Sequence, residues 1–475
     1  MLPRRTLLTG SLAAIGFTGL EHGALYAKTA SIVVNDVTRL NPVEVAQLIV
    51  PKNTEEIAQS IRDWPGSISV SGGCYSMGGQ IAATGSLHFD MRSFNKLVRL
   101  DVEEKIARVQ SGMQWRDLQT LIDPHGLSVK IMQSYANFTI GGALSVNAHG
   151  RYVGLGPIIN SVRSIQIVLP DSTVVEASRS ERPDLFAGTI GGYGGLGVIT
   201  EVELDLVPNV RIERRVEYIP LQRYVAFFRE HVLENRDAIL HNADLEFPDF
   251  HDAVCITWSR TDKPVTVRDK LTPVGKTLSI DATAVWALSE LPKAGYIRRT
   301  IVDPLQHNSQ LIVWRNHEAS LDVASLGTIS TERSTFALQE YFLPVEQLET
   351  FVAEMARILV ANKVNALNVS IRHSERDAAS LMAWAQTEVF SLVLYYKQDS
   401  TPTAQQHVGE WTRQLIDAAI SMGGTYYLPY QLHATREQFS QAYPRATDFF
   451  ALKMKIDPRN RLSNKLWEKY APAHT

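Results

Sequence analysis

Apolar and polar residues alternate over short distances in the first part of the chain, a pattern typical of β-strands joined by turns. Residues 31–70 predict a strand, a helix and a strand, ending in the short apolar segment SISV. The helix TEEIAQSIRD follows Asn53, and Glu56 stands three positions after it, which predicts a capping box. Residues 164–178 alternate on both sides of a Pro-Asp-Ser turn and predict a hairpin.

Beyond about residue 210 the spacing of apolar residues changes. It becomes helical in segments 221–235, 345–362 and 403–424. Strand-like segments occupy 334–344, 365–374 and 389–398. This mixture predicts an α+β domain with an antiparallel sheet and helices on one face.

Composition narrows the class of protein. A length of 475 residues is more than one ordinary compact core contains, and it predicts two domains. The net charge is −3 and no basic block follows residue 5, so nucleic acid is not an expected partner. Two cysteines, Cys74 and Cys255, are too few for a disulfide scaffold.

The first 30 residues have the layout of a signal segment. Arg4 and Arg5 precede an uncharged stretch from Thr6 to Leu20, and small residues follow. The paired arginines make the segment twin-arginine-like. We therefore expect a periplasmic or secreted protein. An ordinary signal and an uncleaved membrane anchor are the alternatives, although the apolar run is shorter than the ~20 residues of a membrane span.

Glycine is concentrated in three clusters, at 70–80, 138–150 and 188–200, each beside a strand-like segment. Glycine lets backbone N–H groups approach a ligand, and successive N–H groups can form an anion-binding nest. The first cluster, VSGGCYSMGGQ, fits neither the Rossmann fingerprint nor a P-loop, and by itself it would equally suit a tight surface turn. Three such clusters together indicate one extended ligand lined mostly by backbone.

The three clusters resemble those of the flavoproteins with a vanillyl-alcohol-oxidase-type (PCMH-type) FAD-binding domain. Cytokinin-dehydrogenase-like features are YSMGGQ, GPIINSV, RPDLFAGTIGGYGGLGVIT and YYLPY, and GGTYYLPYQLHATREQFSQAYPR is similar to decaprenylphosphoryl-ribose oxidases. Aldonolactone and alditol oxidases belong to the same group. The resemblance implies an α+β, two-domain fold, with an FAD-binding domain at 31–210, a cap or substrate domain with an antiparallel sheet at 211–424, and a return to the first domain at 425–475.

The resemblance also implies which residues hold FAD. The first loop would bind the pyrophosphate, the second would follow the ribityl chain and the flavin, and two residues of the third would lie at the adenine end. These residues are Ser71, Gly72, Gly73, Cys74, Tyr75, Ser76, Gly79, Gln80, Thr139, Gly141, Gly142, Ser145, His149, Gly150, Val198 and Ile199.

At the cofactor, the chain departs from its relatives. Many of them link the flavin covalently to a histidine at the position of Tyr75, so we expect non-covalent FAD. Cys74 stands where many have glycine, and we interpret it as a packing residue, with a redox thiol as the alternative. Cytokinin dehydrogenases place a catalytic aspartate at the position of Ser134, which argues against a cytokinin substrate.

The expected catalytic residues lie in the second domain and the return segment. Aldonolactone and alditol oxidases use a Glu-x-Arg pair, whose positions here are Ser370 and Arg372. They also use a lysine where this chain has Tyr430. We assign Arg372 to stabilise the reduced flavin, and Tyr430 and Glu340 to the substrate or its proton. No spacing of histidines and cysteines predicts a metal site.

The sequence therefore predicts an exported FAD-dependent oxidoreductase that oxidises a CH–OH group of a sugar, polyol or aldonolactone. One alternative is a dehydrogenase of an amine, a lipid-linked sugar or an aromatic alcohol that passes electrons to a quinone rather than to oxygen. Another alternative is a flavin-binding module without catalysis. It stays open because the histidine, aspartate and glutamate that relatives use are absent at residues 75, 134 and 370.

Overall fold

Strands and short helices alternate along the chain in the computed structural model, which describes residues 32–245, 248, 250–274, 310–322 and 333–472. The strands are β1 (Ile32–Val34), β2 (Val43–Val45), β3 (Gln47–Ile49), β4 (Ile68–Ser71), β5 (Leu87–Asp90), β6 (Leu97–Asp101), β7 (Ile106–Gln110), β8 (Leu127–Val129), β9 (Val162–Val168), β10 (Val174–Ser178), β11 (Val198–Pro208), β12 (Arg211–Pro220), β13 (Ala238–Leu245), β14 (Asp252–Arg260), β15 (Ile312–Trp314), β16 (Ser334–Pro344), β17 (Asn365–Ser374), β18 (Val389–Asp399) and β19 (Thr425–Tyr426).

The α-helices are α1 (Thr54–Asp63), α2 (Trp115–Ile122), α3 (Ile140–Ser145), α4 (Pro183–Thr189), α5 (Leu221–Phe227), α6 (Arg315–Ala319), α7 (Leu348–Ala361), α8 (Pro402–Ser421), α9 (Arg436–Ala442), α10 (Ala446–Ile456) and α11 (Lys465–Tyr470). Among the described residues, none of them is long and apolar enough to span a membrane.

A small parallel sheet, β3-β5-β4, carries the first glycine cluster at the end of β4. Helix α1 buries Ile57 and Ile61. Asn53 caps it by accepting from the Glu56 N–H at 2.8 Å. The predicted capping box is only half formed, because the Glu56 carboxylate accepts from the Lys52 N–H instead of that of Asn53.

A second sheet has the order β10-β9-β11-β7-β6, with β8 paired to β11. The predicted hairpin is confirmed: β9 and β10 pair antiparallel, with Val168 opposite Val174. Ile165, Ile167 and Val202 are fully buried, which places the core on one face of this sheet. The second glycine cluster begins helix α3, which packs against β11.

The third large unit is an antiparallel sheet of eight strands, in the order β15-β12-β14-β13-β17-β18-β16-β19. Helices α7 and α8 pack against each other and against β16. The α+β fold class with an antiparallel second sheet is therefore confirmed. The sequence analysis did not predict strands β12, β13 and β14.

The C-terminal helices are tied to the first part of the chain by buried polar contacts. Lys453 is 4% exposed, pairs with Asp457 at 3.0 Å, and donates to the carbonyls of Gly195 and Leu462. Leu462 also forms a bridge to Ile68 on β4. The segment after residue 425 is thus in contact with the sheet that carries the first glycine cluster. The predicted domain boundaries stay predictions, and the signal segment, residues 1–30, lies outside the described residues.

Candidate active site

The first glycine loop is fixed by hydrogen bonds to a segment distant in sequence, and the backbone N–H groups of residues 74–76 stay free. Gln80 donates to the carbonyls of Leu428 and Tyr430 at 2.6 Å each. Within the described residues, the N–H groups of Cys74, Tyr75 and Ser76 have no acceptor. Cys74 has φ 60°, the left-handed conformation that turns successive N–H groups toward one point. This is the geometry of an anion-binding nest.

A buried histidine supports this loop. His88 is 1% exposed, and its two ring nitrogens lie 2.8 Å from Ser69 Oγ and 2.9 Å from Ser71 Oγ. Burial lowers the pKa of His88 to about 4, so the ring is neutral near pH 7. The hydrogen bonds fix the Ser71 hydroxyl at the start of the loop.

The second glycine loop packs directly against the first. Gly73 N–H donates to Thr139 Oγ1 at 3.2 Å. A Cβ at Gly72 would lie only 2.0 Å from the same oxygen. Residue 72 therefore has to be glycine for the two loops to approach this closely.

These loops line one large cavity, together with strands of the eight-stranded sheet. Most of the residues predicted to bind the cofactor line it: Ser71, Gly72, Gly73, Cys74, Tyr75, Ser76, Gln80, Thr139, Gly141, Gly142, Ser145, His149 and Ile199. The three predicted catalytic residues, Glu340, Arg372 and Tyr430, also line it.

Three predicted cofactor residues do not line the cavity in the part of the chain that the structure describes. Val198 is fully buried, because it points to the opposite face of β11 from Ile199. A Cβ at Gly150 would lie 2.1 Å from the Met132 carbonyl, and Gly79 has φ 75° against Lys465. These two glycines serve packing and backbone conformation.

Several cavity residues were not predicted from the sequence. Three of them, Tyr193, Gly194 and Gly197, belong to the third glycine cluster. That cluster was expected to contact the ligand, but only Val198 and Ile199 were predicted from it. Leu338 stands two residues before Glu340 on β16, so strand alternation could have predicted it. Val393 needed the register of β18, which the sequence does not show.

The predicted catalytic side chains Glu340 and Arg372 lie on β16 and β17, which are separated by β18, and Tyr430 follows β19. Val393 on β18 is opposite Glu340 on β16 and Ser370 on β17. These three residues therefore form one row across the sheet. Arg372 is two positions from Ser370 and projects from the same face. His149 Nε2, from the second glycine loop, lies 2.7 Å from Glu340 Oε1.

The charges around Glu340 are unusual for a protein interior. Burial disfavours ionisation of Glu340, but the charges of His149 and Arg372 outweigh it and hold the pKa of Glu340 below its usual range. Arg372 is half-buried, and its Nε has no hydrogen-bond partner among the described residues. Burial, with Glu340 nearby, raises the pKa of Tyr430 well above the usual value of a phenol.

Cys74 and Tyr75 both face the cavity. Burial raises the pKa of the Cys74 thiol, which disfavours the reactive thiolate. The Tyr75 ring packs edge-on against Phe138, with 4.6 Å between centroids. Burial also raises the pKa of Tyr75 and so keeps the phenol protonated.

Of the described residues, one group could hold a metal ion, and it lies away from the cavity. His373, Glu375 and Glu388 bring ligand atoms within 4.8 Å of one another, although the sequence predicted no such cluster. His373 projects from the opposite face of β17 to Arg372. Its Nε2 already lies 2.8 Å from Glu388 Oε1, so a hydrogen bond accounts for this contact.

Comparison with known proteins identifies the family. The FAD binding domain family model matches residues 45–178. The D-arabinono-1,4-lactone oxidase family model matches residues 202–470, which is more than half of the chain. The chain belongs to the D-arabinono-1,4-lactone oxidase family. It is an FAD-dependent oxidoreductase, which confirms the resemblance and the cofactor inferred from the glycine clusters.

Relatives of this family member include oxidases and dehydrogenases. L-Gulonolactone oxidase of Mus musculus is 24% identical over 87% of this chain and 92% of that protein. Cytokinin dehydrogenase 5 of Arabidopsis thaliana is 24% identical over 93% of this chain and 87% of that protein. L-Galactono-1,4-lactone dehydrogenase 2 of Oryza sativa subsp. japonica is 36% identical over 24% of this chain and 19% of that protein.

The cavity of this oxidoreductase suits FAD. The free N–H groups of residues 74–76 fit a pyrophosphate, and Thr139 and Ser145 offer hydroxyls along the second loop. Because Glu340, Arg372 and Tyr430 gather at one end, that end suits the flavin ring and the substrate.

Proposed function

We propose that this protein oxidises a CH–OH group of a sugar, a polyol or an aldonolactone, using FAD that is not covalently attached. The observation that carries the proposal is the half-buried Arg372 near the ionised Glu340 in the cavity that the glycine loops line. When bound, FAD supplies the hydride acceptor. The similarity to L-gulonolactone oxidase and L-galactono-1,4-lactone dehydrogenase supports a lactone or a related sugar as the substrate.

Each catalytic side chain has a distinct role in this proposal. Arg372 brings positive charge to the place where negative charge develops on the reduced cofactor, and the surrounding low dielectric strengthens that interaction. Tyr430 contacts the substrate hydroxyl, and Glu340 accepts its proton. The buried rings of Trp384, Tyr427 and Phe342 around His149 exclude water from this end of the cavity.

The test is anaerobic reduction of the FAD-loaded protein by a panel of aldonolactones, polyols, amines and aromatic alcohols. We expect at least one aldonolactone or polyol to bleach the flavin absorbance. Bleaching by amines or aromatic alcohols alone would refute the proposed substrate class. Mixing the reduced protein with oxygen, or with a soluble quinone, then distinguishes an oxidase from a dehydrogenase by the faster acceptor.

We also propose that residues 1–30 direct export by the twin-arginine route, since Arg4 and Arg5 precede a short apolar stretch. This route carries folded proteins and would allow FAD to bind before export. Replacing both arginines with lysine should retain the protein in the cytoplasm of an expressing bacterium. Unchanged export of that variant would exclude the twin-arginine route.

A further inference from the structure

The side chains of His149 and Tyr430 both contact the carboxylate of Glu340, which makes a cluster of three residues. His149 Nε2 lies 2.7 Å from Oε1, and the Tyr430 hydroxyl donates to Oε2 at 3.2 Å. The side chains of His149 and Glu340 are 4% and 2% exposed. Tyr430 is half-buried and lines the cavity. Of the three, Tyr430 is therefore placed to touch a substrate.

The positions of the protons follow from the chemistry of these groups. The ionised carboxylate of Glu340 only accepts hydrogen bonds, so the proton of the Tyr430 phenol points to it. The lone pairs of the phenol oxygen are then left for a donor in the cavity. A substrate hydroxyl is such a donor.

The two ring nitrogens of His149 differ in their surroundings. Its Nδ1 is buried and has no hydrogen-bond partner among the described residues. A proton there would have no acceptor, whereas Nε2 lies 2.7 Å from a carboxylate oxygen of Glu340. When the ring carries a single proton, that proton therefore lies on Nε2.

The position of Glu340 also accounts for a departure from the relatives. The resemblance to aldonolactone and alditol oxidases implies a glutamate two residues before the arginine, where this chain has Ser370. Ser370 and Glu340 are both opposite Val393, in one row of the sheet. Neighbouring strands lie ~4.8 Å apart, so the carboxylate is displaced by two strands, or ~10 Å, along the same row.

We propose that Tyr430 relays the proton of the substrate hydroxyl to Glu340, and that His149 is a positioning residue for that carboxylate. This rests on the proposed function. Bound FAD would supply the acceptor for the hydride of the C–H bond, and the electrons of the O–H bond would then form the C=O bond. The hydroxyl proton passes to the Tyr430 oxygen, while the phenol proton passes to Glu340 Oε2. The products are a carbonyl compound, reduced flavin and protonated Glu340.

The relay is tested first by kinetics. Tyr430→Phe should slow anaerobic flavin reduction by about a hundredfold, the lower range for losing a positioned proton acceptor. Tyr470→Phe is the control, because its hydroxyl donates to the Ala434 carbonyl at 2.9 Å and Tyr470 does not line the cavity that the described residues form. In mixtures of light and heavy water, the wild-type rate should curve with deuterium fraction, as expected when two protons move. A Tyr430→Phe variant with the wild-type rate would overturn the relay.

The second measurement needs no substrate, so it separates failure of the relay from failure of the proposed function. In the nitrogen NMR spectrum of FAD-loaded, ¹⁵N-histidine-labelled protein, the His149 signal is the one lost in His149→Gln. At a pH at which the ring carries one proton, we expect it to report that proton on Nε2, and Glu340→Gln to change the tautomer balance. A proton on Nδ1 in the wild type would refute the arrangement. If no compound reduces the flavin but the Nε2 tautomer is present, the substrate class fails while the proton arrangement stands.

Discussion

The two ends of the cavity are built in different ways. At the first glycine loop, three consecutive residues that line the cavity, 74–76, have backbone N–H groups without an acceptor among the described residues, and the Gln80 side chain ties the loop to residues 428 and 430. At the other end, side chains distant in the sequence, His149, Glu340 and Tyr430, converge on one carboxylate. The comparison teaches that cofactor binding depends here on backbone conformation, whereas the chemistry depends on the register of the sheet.

The largest effect is expected at the loop. Gly73→Val should remove most of the bound FAD, because a Cβ there would lie 2.9 Å from the Tyr75 ring and a branched side chain would push the loop away from the phosphates. FAD content after purification measures it. Gly85→Ala is the control, since an added Cβ meets no atom within 4 Å although φ is 68°. Full FAD occupancy in Gly73→Val would contradict the account of this loop.

The second-largest effect, on the rate of flavin reduction, is expected at Arg372. Arg372→Ala should slow anaerobic reduction of bound FAD by about a hundredfold, the scale of losing one preorganised charged donor. The affinity for FAD should change little, because we assign binding of the pyrophosphate to the backbone of residues 74–76. Arg372→Lys should recover part of the rate. Normal reduction kinetics in Arg372→Ala would remove this residue from the mechanism.

A smaller effect, on the pH dependence of stability, is expected from His88, which hydrogen-bonds to Ser71 at the start of the first glycine loop. The pKa of His88 is lowered to about 4 in the folded protein, against about 6.5 in an unfolded chain. Between these values the unfolded state binds more protons, so stability falls as pH falls from 6.5 toward 4. His88 should account for about 1 kcal/mol of the free energy of unfolding lost from pH 6.5 to 5.5. Denaturant titrations of His88→Gln should show a correspondingly weaker pH dependence, and an unchanged slope would contradict this.

The smallest effect is expected at Tyr75. Since this phenol replaces the histidine that many relatives link to the flavin, acid precipitation should release FAD into the supernatant. Tyr75→Phe should keep FAD, because the backbone rather than the hydroxyl holds the pyrophosphate. Flavin remaining on the precipitated chain would refute non-covalent binding, and peptide mass mapping would then locate the link.

Much of the loop end was predictable from the sequence. Glycine at residues 72 and 73 indicates that the loop backbone lies close to other atoms, where a Cβ would clash. Three such glycine clusters indicate one shared ligand. Alternation also predicted the β9–β10 hairpin. The alternation did not show which of the two neighbouring residues, 198 or 199, faces the cavity. Ile199 lines the cavity, whereas Val198 is buried on the other face of β11.

The catalytic end was only partly predictable. Glu340 and Tyr430 could be named as candidates, but their contact depends on strand pairing between distant segments, which no local pattern encodes. Strand β12 was missed for a related reason. Its sequence, RIERRVEYIP, is largely charged, and among its residues only Ile212 is fully buried, so it lacks the apolar alternation that marks a strand.

The central claim is that the loop holds the cofactor and the sheet residues carry out the chemistry. The most direct test is to saturate Gly73→Val with excess FAD and to measure anaerobic flavin reduction by the best substrate from the panel. The account predicts a rate constant close to that of the wild type, because Glu340, Arg372 and Tyr430 are unchanged. A rate constant as low as that of Arg372→Ala, at full FAD occupancy, would contradict this separation of roles.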